Sequence, residues 1–457
     1  MSEVSEETTQ AGVDMLSSLG IELNTDTDNA SGEEYETIPL VQETVTVSNP
    51  PEFSVPRAVL VRMVEQCMLV VPTRDFVPAL KSLVLDVTED RLAITGSDST
   101  STVICHSTTV RVTHPGRVLI GATKFSNVIR LASGSEVSLR AQDQMLHISS
   151  PTPSSRSDWS LRIAGTQDYV SLADLGDLTW HTIDRANFVR AVGAVRYAAS
   201  SDENDPGRMQ LDISQGTVTT TDKTCFAQVT GQLPADLTCR VSTAAADLAI
   251  KMLERNDAEE FRLADTPYHT VVEIGSIESP DRMIVAHITE EFPAEAKNAI
   301  QTPLVENRDQ LTVDADDLIE ALRRASPTSD EETLAVALKP GVPEPNTITV
   351  ATRNRYGDLS TEVLKADFVR LGSDKAPPAR TVVLSHKRLT SAICSAGLAR
   401  PGATDSDCGG AVRLMLGEDR TKSRPAFVLV RDGLEEGEPG AGTVQSVLSQ
   451  VRSEWMT

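Results

Sequence analysis

The chain has 457 residues, 40% hydrophobic and 24% charged, with a formal net charge of −24. That length exceeds what one hydrophobic core sustains and predicts several domains, and no apolar run approaches the span of a bilayer, which argues against a helical membrane protein. Six scattered cysteines (Cys67, Cys105, Cys225, Cys239, Cys394, Cys408) without Cys-x-x-Cys spacing, and no basic-then-apolar leader, predict a cytoplasmic protein with reduced thiols.

So large an acid excess argues against nucleic acid unless the charge is segregated. It is segregated: residues 1–56 hold 12 acids and no Lys or Arg, leaving 54 acids against 42 bases in the remainder. Residues 1–52 are rich in Ser, Thr and Glu and predict a disordered acidic tail, since they bury too little apolar surface to offset the entropy of ordering. A patch within it, Met15, Leu16, Leu19, Ile21 and Leu23, is either a partner-induced fold or chance clustering.

From there one phrase recurs six times: a turn residue, a helix of about three turns, then alternating strands. The helices are expected to begin near Val55, Ala122, Asp184, Thr243, Asp314 and Ser385, several of them good N-cap residues. Their apolar stripes read Val59, Leu60, Met63; Phe125, Val128, Ile129; Phe188, Val192, Val195; Leu248, Met252; Leu318, Ile319, Leu322; and Leu389, Ile393. Strands such as Leu83, Leu85, Val87 and Met209, Leu211, Ile213 alternate cleanly. An α+β protein with antiparallel sheets and helices on one face follows. Residues 434–457 predict a linker, Glu435 to Gly442, and a short amphipathic helix carrying Val444, Val447, Leu448 and Val451.

Phe76-Val77-Pro78-Ala79-Leu80 leads into Leu83-Val84-Leu85-Asp86-Val87 and Leu92-Ala93-Ile94-Thr95-Gly96-Ser97-Asp98; later come Thr221-Asp222-Lys223-Thr224-Cys225-Phe226-Ala227, Glu291-Phe292-Pro293 and Ala426-Phe427-Val428-Leu429-Val430. In this order, over residues 53 to 433, the chain resembles the beta subunit of bacterial DNA polymerase III, a DNA sliding clamp and processivity factor. The resemblance implies three tandem clamp domains, 53–173, 174–303 and 304–433, each of two helix-plus-sheet halves, forming half of a ring. It implies a non-catalytic homodimer closed head to tail around duplex DNA, with a DNA polymerase and an ATP-dependent clamp loader as further partners and no cofactor. Lys223, Thr224 and Cys225 stand where the family has Gly-His-Arg, and the usual Met-Pro-Met-Arg-Leu ending is absent, departures that suit a viral or specialised clamp.

Because the family's helices line the hole, the resemblance assigns the DNA channel to bases on the helices or their immediate flanks, Arg57, Arg62, Lys124, Arg130, Arg185, Arg190, Arg196, Lys251, Arg255, Arg323, Arg324, Lys387 and Arg388, and to Arg74, in the loop after the first helix, which matches a basic position that contacts DNA in the family. Any one of these is equally a solvated helix face; their recurrence on all six helices carries the reading. Position by position, the groove for partner peptides would be lined by Thr221, Lys223, Thr224, Cys225, Phe226, Pro293, Lys297, Asn298, Ser385, Arg388, Val428 and Val430. For Phe226, Val428 and Val430 ordinary strand core is an equal alternative.

Catalytic signals are weak. The seven histidines lack metal-ligand spacing, Gly437 to Gly442 lacks the Lys-Ser/Thr of a phosphate loop, and Asp314, Asp316 and Asp317 stand where helix capping explains them. The rival reading is an interaction scaffold that keeps the clamp fold without encircling DNA.

Overall fold

The computed structural model describes residues 50–74, 77–164, 169, 175–294, 296, 309–329, 335–370, 381–397, 410–416, 427–432 and 444–449. Residues 1–49 of the acidic tail, Phe76, the Glu435–Gly442 linker, Lys297, Asn298 and Val451 lie outside them, while Glu52, the last residue assigned to the tail, opens the first strand.

Six successive modules share the order strand, helix, three strands. The first is β1 (Glu52–Pro56), α1 (Arg57–Cys67), β2 (Ser82–Val87), β3 (Leu92–Ser97) and β4 (Ser101–Ser107), followed by an extra short β5 (Arg111–His114). The second is β6 (Gly116–Gly121), α2 (Ala122–Leu131), β7 (Glu136–Gln142), β8 (Met145–Pro151) and β9 (Arg156–Ala164). Next come β10 (His181–Asp184), α3 (Arg185–Val195), β11 (Gln210–Ser214), β12 (Thr217–Thr221) and β13 (Cys225–Thr230), then β14 (Thr238–Ser242), α4 (Thr243–Glu254), β15 (Glu260–Asp265), β16 (His269–Ile274) and β17 (Asp281–Ala286). The fifth is β18 (Asp309–Asp314), α5 (Ala315–Ala325), β19 (Ala335–Pro340), β20 (Thr347–Arg353) and β21 (Leu359–Arg370). The sixth is β22 (Val382–Ser385), α6 (His386–Gly397), β23 (Ala411–Leu416), β24 (Phe427–Asp432) and β25 (Val444–Ser449).

All six helices start within two residues of where the sequence placed them. Local chemistry explains why: the side chains of Asp184, Ser242 and Asp314 each accept a hydrogen bond from the backbone N–H three residues on, satisfying a donor that the helix leaves orphaned. The apolar stripes of all six helices join the inward residues of the strands in one continuous core.

Modules pair by exchanging first strands. β1 joins β7 of the second module, and β6 joins β2 of the first; β10 joins β15 and β14 joins β11; β18 joins β23 and β22 joins β19. Neighbouring pairs are then stitched by their last strands. β17 runs antiparallel to β4, from Arg282 opposite Ile104 to Val285 opposite Ser101, and β13 to β25, from Cys225 opposite Leu448 to Val229 opposite Val444. The result is a sheet of 13 strands and a sheet of 12.

Side chains lock both junctions. At the first, the Gln66 amide donates to the Met252 carbonyl at 3.1 Å, and Asp281 meets Arg62. At the second, Tyr197 and Ser446 share a 2.6 Å hydroxyl contact, and Ser395 donates to the Ala194 carbonyl.

One expectation is overturned here. Val444–Ser449 is a strand, not an amphipathic helix, and it fills the slot between β13 and β24. Phe427–Asp432 is therefore the penultimate strand of its module rather than the last. The spacing of Val444, Val447 and Leu448 fits a helix, yet Val444, Val447 and Leu448 are all nearly inaccessible, because this strand is buried on both faces and loses the simple alternation of a half-exposed one. Leu448 is 2% exposed, so Leu448→Ala is expected to destabilise the protein by about 2–5 kcal/mol. Urea denaturation checks this; a change near zero would restore the peripheral-helix reading.

Candidate functional site

The helices carry charge of the opposite sign to the chain. In α1 to α6 there are 11 Lys or Arg against six Asp or Glu, whereas the whole chain stands at −24. The surplus is uneven, because α2, α3 and α6 have no acid while α5 presents Asp316, Asp317 and Glu320 beside Arg323 and Arg324.

Six of the proposed channel residues sit in ion pairs. Arg130 lies 3.0 Å from Glu65, Arg323 2.8 Å from Glu320, Arg324 3.0 Å from Glu362 and Arg388 2.5 Å from Asp222; Arg62 meets Asp281 and Arg196 meets Asp247. Arg196 donates two hydrogen bonds to the Asp247 carboxylate, which raise its affinity for its proton. Three more donate to backbone carbonyls: Arg57 to Arg130 at 2.7 Å, Arg185 to Asn256 at 2.8 Å and Arg255 to Glu65 at 2.6 Å. Such bonds occupy a donor and leave the charge uncompensated. Arg190 lies 3.5 Å from the Gln232 amide oxygen. Arg74, Lys124, Lys251 and Lys387 are exposed and make no ion pair among the described residues.

Three of these bases have structural work that sequence alone did not reveal. Arg62 and Arg255 bridge the first junction, and Arg388 reaches Asp222 and Thr224 across the second. Asp281 and Asp222 have little other access to water, their side chains being 4% and 14% exposed, so removing either arginine strands a buried carboxylate.

The proposed peptide groove maps onto the second junction, with changes. Residues directly opposite on antiparallel strands face the same way, and here Phe226 lies opposite Val447, Val447 opposite Leu429, and Leu429 opposite Met415. This row, with Phe292 and Ala296 packed on it, forms an apolar cluster separate from the main core. Val428 and Val430 do not belong to it. They point the other way, into the main core, as strand alternation requires once Phe427–Asp432 is flanked by β23 and β25. Leu429, Val447, Met415 and Phe292 share this cluster and were not among the residues the sequence singled out for the groove.

The other groove candidates are distributed around this row. Thr221 is buried and donates to the Cys225 carbonyl at 2.9 Å. Lys223 turns to Asp205 at 2.5 Å and, with Arg208, holds that carboxyl below the usual range. Its φ of 82° lies in the left-handed region, where a side chain is strained; Asp222 offsets this by accepting from the N–H groups of Thr224 and Cys225 at 2.9 and 2.7 Å. Pro293 follows Phe292, and Ser385 ends β22 opposite Ala335. Among the described residues, no cluster of three or more His, Cys, Asp or Glu could hold a metal ion, and no helix is long and apolar enough to cross a membrane.

Comparison with known proteins places this architecture. Residues 51–173 match the family described as DNA polymerase III beta subunit, N-terminal domain. The beta sliding clamp of Escherichia coli strain K12 is 25% identical over 148 residues, 32% of this chain and 39% of that protein, and that of Salmonella typhimurium is 26% identical over 149. The chain thus spans 39% of the length of these relatives. In three dimensions the likeness is far longer. The beta sliding clamp of Caulobacter crescentus superposes with a TM-score of 0.72 at 20% identity, covering 88% of this chain and 99% of the other. The sliding clamp of Bacillus subtilis gives 0.72 at 17% identity, with the same coverage. The resemblance read from the sequence is borne out, and the fold is that of the bacterial beta sliding clamps.

Burial raises the Cys225 thiol to about 12, so it stays protonated and unreactive in the native state. At pH 8, iodoacetamide should leave Cys225 unmodified until the protein is unfolded; peptide mass spectrometry of the labelled protein checks this.

Proposed function

We propose that this chain is half of a DNA sliding clamp: a non-catalytic ring subunit that encircles duplex DNA and tethers a polymerase to it. The observation that carries the reading is the sixfold repeat of one module, each with a helix bearing Lys or Arg, inside a protein that is otherwise strongly acidic. Cations on the helices would meet phosphates without reading bases, and such contacts hold DNA while leaving it free to slide. Acids elsewhere are screened from the channel beyond a Debye length of about 8 Å.

Ring closure follows from the junction rule. The last strand of an even module pairs with the last strand of an odd one: β17 with β4, and β25 with β13. β9 and β21 are the remaining even and odd last strands. Residues Arg156–Arg162 pair only with β8, and Leu359–Lys365 only with β20, among the described residues. Each exposes a row of backbone groups that a second copy would satisfy. Half-buried Trp159, Leu161 and Leu364 line the helix side of these edges, and Leu131 of α2 is 74% exposed. In a head-to-tail dimer, β9 of one copy would extend β21 of the other, a heterologous contact that closes after two steps. The three module pairs would be the three clamp domains, the first opening at Glu52 and the third reaching Ser449 rather than stopping at 433.

The Phe226, Leu429 and Val447 row beneath Phe292 would take the apolar end of a partner peptide, from the polymerase or from the ATP-dependent loader that opens the ring. The exposed bases with neither an ion pair nor a backbone carbonyl partner among the described residues, Arg74, Lys124, Lys251 and Lys387, would make the DNA contacts. Changing Arg74, Lys124, Lys251 and Lys387 to Glu should abolish retention on nicked circular DNA at moderate salt, and the corresponding Lys-to-Gln and Arg-to-Gln set should lower the salt slope by about 1 per contact removed. Unchanged retention, or retention indifferent to linearising the circle, would favour a scaffold that does not encircle DNA. Separately, Leu364→Asp should halve the mass measured by sedimentation without altering circular dichroism; a persistent dimer excludes the β9–β21 contact.

A further inference from the structure

The outer face of the first junction repeats the design of the second, at a site to which the clamp reading gives no task. Both begin with the same hairpin. Asp98 accepts from the N–H groups of Thr100 and Ser101 at 2.9 and 2.6 Å, and Ser99 has φ 78°; Asp222, Thr224, Cys225 and Lys223 repeat this arrangement. That equivalence sets Thr102 against Phe226, so the cross-strand row Thr102, Ile284, Val271, Ala264 answers to Phe226, Val447, Leu429, Met415. Ile104, Val271 and Ile284 form their own outer apolar cluster, on which Leu175, Leu178 and Trp180 are packed, as Phe292 and Ala296 pack on the second.

The two differ in what stands beside the row. At the first junction the next row is Ile104, Arg282, Glu273, Arg262, and an open cavity of about 670 Å³ lies over it. Such a volume suits a few side chains. Glu273, with its side chain 3% exposed, is shared by Arg262 and Arg282, so one carboxylate faces two guanidinium groups and a positive charge is left over. The Arg262 guanidinium lies 5.0 Å above the Trp180 ring. Arg91 adds a second cation on the wall and makes no ion pair among the described residues. Asp177 and Glu278 also line the cavity, exposed to solvent as Arg91 is; water screens all three more than it screens the half-buried Arg262 and Arg282. Ile277, 75% exposed, stands at the same mouth as Leu175 and Leu178, and the Ser279 hydroxyl is buried there with no hydrogen-bond partner among the described residues.

We propose that this cavity is a second docking groove, for an extended peptide that carries a carboxylate next to a large apolar side chain. The apolar residue rests against Leu175, Leu178 and Trp180, while the carboxylate bonds Arg91 and the surplus charge of the Arg262–Glu273–Arg282 row. The groove does not depend on the chain encircling DNA, so it stands or falls apart from the clamp reading.

A fluorescein-labelled pentapeptide of alternating aspartate and leucine ending in phenylalanine, titrated by anisotropy into the full-length protein, tests it. Saturable binding is expected, weakened about tenfold by Arg91→Glu, by Trp180→Ala and by replacing the aspartates with asparagine. Lys223→Gln, on the exposed rim of the second junction, should change it by no more than about twofold. Arg91 is exposed, so that variant reports even if Trp180→Ala disturbs the fold. Absence of saturable binding overturns the proposal. So does loss through Lys223→Gln with Arg91→Glu silent, which assigns the peptide to the second junction. Displacement of the peptide by a 5′-phosphorylated dinucleotide, in an Arg91-dependent way, overturns it in favour of nucleic acid.

Discussion

Backbone hydrogen bonding between the last strands of neighbouring module pairs is the constraint on which this structure depends. A strand edge that meets neither water nor another strand leaves donors and acceptors unsatisfied, and β4 with β17, and β13 with β25, satisfy one another along matched lengths. Register matters as much as pairing. Slipping β25 by one residue would turn Val447 into the helix-facing core and send Leu448 to the outer cleft, because strand side chains alternate with period two. The apolar row on the outer face and the seating of the helices are thus consequences of one set of hydrogen bonds.

Electrostatics supplies the second layer. The junctions are pinned by charges with low exposure: Asp281 between Arg62 and the backbone N–H of His106, which donates at 3.3 Å, and Asp222 against Arg388. A buried carboxylate without its partner is costly, so these pairs penalise misaligned junctions even where they add little net stability. They also draw several arginines out of the pool available to a ligand. What remains is a sparse set of cations without an ion pair, on or beside the helices.

The two junctions are variations on one plan. At β13–β25 the outer cleft is apolar and covered by Phe292; at β4–β17 it carries the shared Glu273 and a stacked Trp180–Arg262 pair. Repetition of a module therefore supplies equivalent clefts whose chemistry diverges through side chains alone, since the strands that build them are held by the backbone.

The sequence by itself determined the six helices, their caps and the strand alternation, because each is written in neighbouring residues: Asp184, Ser242 and Asp314 sit beside the amides they cap, and stripes such as Phe188, Val192 and Val195 recur every three or four positions. Only the tertiary structure decided the fate of Val444–Ser449, whose spacing serves a helix as well as a strand buried on both faces. It also decided that Leu429 rather than Val430 faces Phe226, and that Arg62, Arg255 and Arg388 bind across junctions instead of standing free. The physical reason is distance along the chain: Cys225 and Leu448 pair, as do Ile104 and Arg282, and no local periodicity encodes which remote edge a strand will meet or in which register.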